Sequence, residues 1–405
     1  GSRFERRERD EVVGTAMRKF VNERAEKLKP SGIRKFFDIV SEMKDAISFG
    51  VGEPDFITPW NIRNAAIKSI QRGYTQYTGN RGLPALREAI SRYMGERFGL
   101  DCPAEHIIVT VGASEGIDLA LRAVCDAGDE ILIPEPSYVS YMPGVYLAGG
   151  TPVSLRCVKE NGFIVTPEML EKAVTPRTKA IILPYPNNPT GGIMTRAELE
   201  AIAPVIEKHD LLVISDEIYA ELTYGGKHVS IASLPGMRER TVVINGFSKA
   251  FAMTGWRVGF VSAPPEIDDA LFKIHQYVIM CAPTASQYAA LEGLRDGFAD
   301  NFSSVEEMRA EYNKRRRFMV DFFNAVNMPC FEPRGAFYVF PSTEKLGVTG
   351  EAFANGLLRA GKVAVVPGDA FGDAGRHHVR CSYATSMANL DKATSRIEKY
   401  IRENF

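Results

Sequence analysis

The chain has 405 residues, 45% hydrophobic and 24% charged, with a formal net charge of −1. That length suits one large domain plus a smaller one, and the near-zero charge argues against a nucleic-acid partner or an anionic membrane surface. No apolar run approaches the ~20 residues of a membrane span, and six scattered cysteines without a CxxC pair fit free thiols in a reducing, cytoplasmic setting better than disulfides or a zinc site.

The opening residues 3–11 mix both charge signs and lack an apolar core, so they read as a solvated arm and not as a targeting segment. Periodicity predicts a helix over residues 12–28, broken by Lys29-Pro30-Ser31-Gly32. Next comes Phe49-Gly50-Val51-Gly52-Glu53-Pro54-Asp55-Phe56. It lacks the third glycine and the strand-to-helix setting of a dinucleotide fingerprint, but Gly52 lets the backbone approach a ligand closely. A polar loop, Gln76-Tyr77-Thr78-Gly79-Asn80-Arg81-Gly82, enters a helix with Leu86, Ile90, Tyr93 and Met94 on one face.

From residue 107 the pattern becomes strand, loop, helix, repeated, which predicts a mostly parallel α/β sheet. Ile107-Ile108-Val109-Thr110-Val111 runs into Gly112-Ala113-Ser114 at a helix start, where free N–H groups and the positive dipole end suit a phosphate. Glu130-Ile131-Leu132-Ile133 precedes Tyr138, and Ala180-Ile181-Ile182-Leu183 precedes an Asn-Pro turn at Asn188. Leu211-Leu212-Val213-Ile214-Ser215 delivers Asp216 and Tyr219; a carboxylate ending a buried strand is costly unless partnered. Thr241-Val242-Val243-Ile244 leads into a small-residue loop with Ser248, Lys249 and Arg257. A lysine there is likewise costly unless paired, neutralised or used covalently, and an arginine just beyond it can hold a phosphate with its planar fork. All five groups follow successive predicted strands, where ligands bind in open α/β sheets.

After residue 300 a long charged helix is expected, then strands at 335–340, 363–368 and 378–383, and a closing helix with Leu390, Ala393, Ile397 and Ile401 on one face. Arg380, inside an apolar strand, needs an anionic partner, either a structural carboxylate or a ligand. His377 and His378 are expected to be exposed at a strand start and not to bind metal. Cys330 and Cys381 are expected in the core.

The string from Asn245 to Gly259, with Ser248-Lys249 and Arg257, resembles the lysine signature of the class I and II aminotransferases of fold type I. So do Gly52-Glu53-Pro54-Asp55-Phe56, Asn188-Pro189-Thr190-Gly191, Asp216-Glu217-Ile218-Tyr219 and the Arg-x-Ser of Arg380. The likeness runs from about Ser31 to the end of the chain and is nearest to the subgroup of aromatic, N-acetyl-diaminopimelate and prokaryotic aspartate aminotransferases. It implies an α/β fold, a mostly parallel mixed sheet flanked by helices with a smaller α+β domain. Residues 1–60 would join that small domain, residues 61–305 would form the large one, and residues 306–405 the rest of the small one.

The resemblance also implies pyridoxal 5′-phosphate as cofactor, carried by Lys249. Asp216 would face its ring nitrogen, and Tyr219 and Asn188 its 3′-oxygen. Tyr138 would cover the ring, and Gly112, Ala113, Ser114, Ser248 and Arg257 would hold the phosphate. Gly52, Ile33, Asn188 and Arg380 would face the substrate, with Arg380 on its α-carboxylate. Tyr77 would reach the phosphate of a neighbouring subunit, so a homodimer with shared sites is expected. One departure is Gly246, where many relatives have a phosphate-binding serine. The expected reaction transfers an amino group from an aromatic or large neutral L-amino acid to a 2-oxo acid such as 2-oxoglutarate, by a ping-pong mechanism. Aspartate or N-acetyl-diaminopimelate transamination and a cysteine-conjugate β-lyase are the alternatives.

Overall fold

The computed structural model describes residues 16–405; the charged opening at 3–11 and the start of the expected first helix lie outside them. The chain divides after Pro30. In the first unit the described helix is short, Glu23–Lys27, with Asn22 accepting from the Ala25 N–H at 2.9 Å. The continuous helix expected over 12–28 is therefore corrected: a capping Asn at 22 starts a new turn there, because its side chain satisfies the N–H of the third residue on.

The second unit, from Ser31 on, is built on a seven-stranded sheet: β1 Ile107–Thr110, β2 Glu130–Glu135, β3 Thr151–Arg156, β4 Thr178–Leu183, β5 Leu212–Asp216, β6 Thr241–Gly246 and β7 Gly259–Ser262. Their order is β1-β7-β6-β5-β4-β2-β3. Only β7 runs antiparallel to its neighbours, β1 and β6. Every residue of β1 and β6 is buried, as expected of a sheet covered on both faces. The alternation shows in β6: Val242 and Ile244 join one apolar cluster and Val243 another.

Among the flanking helices, α1 Gly32–Ser41 precedes the sheet, α2 Gly112–Val124 follows β1, and α3 Pro265–Val278 follows β7. The long charged helix is α4, Ser303–Ala325, and the closing helix is α5, Met387–Asn404, with Leu390, Ala393, Ile397 and Ile401 buried as expected.

Two small sheets accompany the C-terminal part. Val366–Pro367, Val379–Ser382 and Tyr338–Val339 form an antiparallel trio, and Ile47–Ser48 pairs in parallel with Val363–Ala364. The single strand expected at 363–368 is thus two, divided at Val365 between different sheets. Phe49 extends the pairing: its N–H donates to the Ala364 carbonyl at 2.8 Å, and its carbonyl accepts from the Ser382 N–H at 2.7 Å.

A second correction concerns His378, which is buried. Its ring stacks on Phe340 with centroids 4.7 Å apart and planes 6° from parallel. His377 is exposed. Cys330 and Cys381 are buried, and all six cysteines are free; Cys330 lies in irregular chain and not in a strand. Among the described residues no cluster of His, Cys, Asp and Glu could hold a metal ion, and no helix is long and apolar enough to cross a membrane.

Candidate active site

The loops that follow β1, β2, β4, β5 and β6 open onto one cavity of about 420 Å³. It is closed from the other side by residues 31–53 and by Tyr338 and Arg380 of the small antiparallel sheet. Ile33, Gly52, Ala113, Ser114, Tyr138, Asn188, Asp216, Tyr219, Ser248, Lys249, Arg257 and Arg380 all line it. Of the residues singled out in the sequence, Gly112 lies just behind the lining and Tyr77 lies outside it, 78% exposed.

Lys249 stands three residues beyond β6, at the point where the buried strand gives way to loop. Its Nζ donates to the Gly52 carbonyl at 2.6 Å and lies 5.5 Å from the ring centroid of Tyr219. Burial lowers its pKa to about 8; Glu53 opposes this, while Arg380 and Arg257 add to it. The Glu53 carboxylate is itself held by the Thr254 hydroxyl at 2.9 Å.

Asp216 closes β5, and its position there comes from a run of buried β-branched residues. One oxygen accepts from the Tyr141 hydroxyl at 2.6 Å and the other from the Ile218 N–H at 3.3 Å. Burial pushes its pKa up, and these two hydrogen bonds pull against that. The Tyr219 hydroxyl pairs with that of Tyr338 at 3.0 Å.

Arg380 is 4% exposed, yet its hydrogen bonds go only to neutral oxygens: Nη1 to Asn188 Oδ1 and Nη2 to the Gly50 carbonyl, each at 2.8 Å. Its Nε is buried without a partner. The guanidinium lies 4.4 Å from the Tyr338 ring centroid and 4.9 Å from that of Phe371. Of the two partners left open by the sequence, a structural carboxylate is therefore absent among the described residues.

Around Arg257 the backbone is fitted closely. Arg257 has φ +50°, and Gly112, with φ +68°, would put a Cβ 2.5 Å from the Arg257 guanidinium. A residue with a side chain at 112 would meet both the left-handed backbone and that cation. At 246, where a serine was noted as missing, a Cβ would come within 2.9 Å of the Gly259 Cα. The close approach of β6 and β7 there accounts for the glycine.

Sequence reasoning missed Tyr141, Tyr338, Glu53 and Phe37, which also line the cavity. Tyr141 carried a signal: it lies three residues after Tyr138. Tyr338 reaches the cavity through register, because it pairs with Ser382, two residues from Arg380. No local pattern reveals that pairing.

This set can hold a multiply charged anion between Arg257, Arg380 and the α2 N-terminus, and can exchange protons through a depressed amine and a buried carboxyl group. The family model described as aminotransferase class I and II matches residues 44–397. The chain is 46% identical to the aspartate aminotransferase of Pyrococcus abyssi, over 95% of this chain and 98% of that protein. It is 43% identical to aromatic-amino-acid aminotransferase 2 of Thermococcus litoralis, over 95% and 98%. It also superposes on the aspartate aminotransferase of Thermus thermophilus solved with maleate, at a TM-score of 0.90 and 37% identity over 95% of this chain and all of that one. The fold is that of the fold type I aminotransferases, and the chain belongs to the class I and II aminotransferase family.

Proposed function

We propose that this aminotransferase works with pyridoxal 5′-phosphate and moves the amino group of an aromatic or large neutral L-amino acid to a 2-oxo acid, 2-oxoglutarate, in two half-reactions at one site. The observation that carries the cofactor reading is the convergence of Lys249, Asp216 and Arg257 on one cavity. The residues fit the group: a buried amine with its pKa lowered to about 8, a buried carboxylate bonded to a neutral phenol, and a guanidinium packed into the space left by Gly112.

When bound, the cofactor supplies a carbonyl carbon that takes up amines and a ring that accepts electron density from the substrate Cα. Lys249 would carry it covalently and, once released, move the proton at the substrate Cα as general base and acid. Asp216 would keep a proton on the ring nitrogen. Arg257, Ser114, Ser248 and the N–H groups at the start of α2 would bind the phosphate. Asn188 and Tyr219 would bond the 3′-oxygen, and Tyr138 would cover the ring. Arg380 would bind the α-carboxylate, beside Gly52.

The donor preference rests on the cavity wall. Among the described residues lining it, the cations are Lys249, Arg257 and Arg380, each already assigned. Ile33, Phe37, Ile117 and Val139 give the wall an apolar stretch, and Glu53, a lining charge with no ligand assigned to it, is an anion. A dicarboxylic donor would want another fixed cation for its distal group; 2-oxoglutarate has the same need as acceptor, and Arg34, exposed next to Ile33 on α1, is the residue that would have to turn inward to meet it. The test is kcat/KM for phenylalanine or tyrosine against aspartate. A preference for the aromatic donors is expected; a tenfold preference for aspartate, about 1.4 kcal/mol, would overturn the donor reading and leave the aminotransferase itself intact.

We also propose a homodimer with shared sites, in which Tyr77 reaches the second copy's cofactor phosphate. Exposed Trp60 and Ile70 on the helix Trp60–Gln71, Tyr77, and Tyr277 near the end of α3 support such a face. Within the unit from Ser31 on, residues 31–60 and 306–405 would form the smaller domain and residues 61–305 the larger. Free cysteines support a cytoplasmic location.

A further inference from the structure

We propose that Glu115 and His275 form a positioning pair that ties the loop at Gly112–Ser114 to the loop carrying Tyr77, so that the two settle into place together. The inference rests on the reading above, in which the first loop holds the cofactor phosphate in its own chain and Tyr77 completes the site of a second copy.

His275 is wholly buried in the last turn of α3. Its Nε2 faces the Asn80 carbonyl at 2.7 Å, and its Nδ1 faces Glu115 Oε2 at 2.6 Å. A carbonyl only accepts, so Nε2 carries a hydrogen. A carboxylate oxygen at 2.6 Å requires a second proton on the line to Nδ1. The other Glu115 oxygen accepts from the Val111 N–H at 2.7 Å. One continuous path therefore runs from the end of β1, through the first turn of α2 and the imidazole, to a residue three positions after Tyr77.

The same helix anchors that loop a second time. Asp268, two turns before His275, takes both nitrogens of Arg81 at 2.9 Å. Asn80 Nδ2 donates to the Met280 carbonyl at 2.9 Å, just past the helix end. The loop that positions Tyr77 is thus fastened to α3, and α3 is fastened to α2 through Glu115.

The arrangement has an electrostatic reason. A carboxylate in the first turn of α2 sits one residue from Ser114, and it would repel an anion arriving at that helix N-terminus. The shared proton offsets its charge, and both of its oxygens are occupied, by Val111 and by His275. The N–H groups of Ala113 and Ser114 are left to the anion.

The experiment is a double-mutant cycle read as the dissociation constant of pyridoxal phosphate for the apoprotein, followed by absorbance. Glu115→Ala and Tyr77→Phe are each expected to weaken binding about tenfold, and the double variant by about tenfold in total and not a hundredfold, because the Tyr77 hydroxyl reaches the phosphate only while the Glu115 path holds its loop. Glu115→Gln is expected to bind within about threefold of the unsubstituted protein. Its amide can accept from Val111 and donate to an unprotonated Nδ1, so the path survives without the charge. If the losses multiply to about a hundredfold, the two loops are independent and the inference fails. A Glu115→Gln protein as weak as Glu115→Ala overturns it as well. If Glu115→Ala does not fold, His275→Gln takes its place in the cycle under the same criteria. A Tyr77→Phe protein that binds normally would remove the shared-site reading and this inference together. A failure of the unsubstituted protein to bind would remove the cofactor reading itself.

Discussion

Arg380 donates through Nη1 to Asn188 Oδ1 at 2.8 Å, a bond between residues 192 positions apart in the chain. It joins the small antiparallel sheet to the turn after β4. With no carboxylate bonded to it among the described residues and Nε unpartnered, the guanidinium keeps a donor in reserve while its plane is fixed by Tyr338 and Phe371. A buried cation in that state is costly, and an incoming carboxylate would relieve the cost.

Arg380→Lys should therefore lower kcat/KM for both the amino donor and the oxo-acid acceptor by on the order of 10²-fold, since a point charge cannot reproduce the planar fork. Cofactor retention should not change. Stopped-flow half-reactions with each substrate, alongside the bound-cofactor absorbance, measure both. Equal loss of cofactor would place Arg380 on the wrong ligand.

Tyr141 gives Asp216 its shortest hydrogen bond, 2.6 Å. The pKa of the Tyr141 hydroxyl is raised well above its ordinary range, by burial first and by the Asp216 charge second, so it remains a donor at any working pH. Tyr141→Phe leaves a buried carboxylate with only the Ile218 N–H, which pushes the carboxyl pKa up further. The half-reaction should slow about tenfold, and Tyr141→Phe should be milder than Asp216→Ala, for which a loss on the order of 10²-fold is expected. Equal rates for Tyr141→Phe and the unsubstituted protein would remove the hydroxyl from the site's electrostatics.

The sheet and most of the cavity were legible because local rules write them. Buried parallel strands announce themselves as Val/Ile/Leu runs, and the loop after each one is where a ligand meets an open α/β sheet. Lys249, Asp216 and Asn188 fall at those ends. What was not legible depends on distant pairing. Tyr338 enters the cavity through its register with Ser382, and the run at 363–368 splits because Val363 pairs with Ile47 while Val366 pairs with Arg380. His378 reads as exposed because it belongs to a polar His pair at a strand start; its burial comes from the Phe340 ring, 38 positions away, which periodicity over a few residues does not see.

His378 should make stability depend on pH. Burial first, then Lys159, lowers its pKa from 6.5 to about 4. Between those values the unfolded chain holds a proton on this residue that the folded chain lacks. Stability is therefore lost as pH falls from 6.5 towards 4, by about 3 kcal/mol, and no further below. Urea midpoints for the unsubstituted protein and His378→Phe, which keeps the stack on Phe340, should converge at low pH relative to their separation at pH 7. A constant separation from pH 7 to pH 4 would show that His378 does not titrate in this way.

The amine of Lys249 should be reactive where an ordinary lysine is not. With a pKa of about 8 in place of 10.5, roughly a tenth of it is neutral at pH 7, against less than a thousandth for a free side chain. Only the neutral form attacks a carbonyl. The rate at which the apoprotein becomes covalently labelled by pyridoxal phosphate should rise with pH and level off just above 8, and borohydride should fix the label on the peptide containing Lys249. Glu53 is the larger of the two charges that oppose the depression, Asp216 being the other, so Glu53→Gln should move the midpoint to lower pH. The same shift bears on folding. Between pH 8 and 10.5 the unfolded chain holds the proton that the folded chain has given up, so the apoprotein gains stability as pH rises through that window, and Lys249→Met should abolish the gain. A labelling midpoint near 10, unmoved by Glu53→Gln, would mean that the amine is solvated as an ordinary lysine is, and that its burial against Gly52 does not prepare it for covalent chemistry.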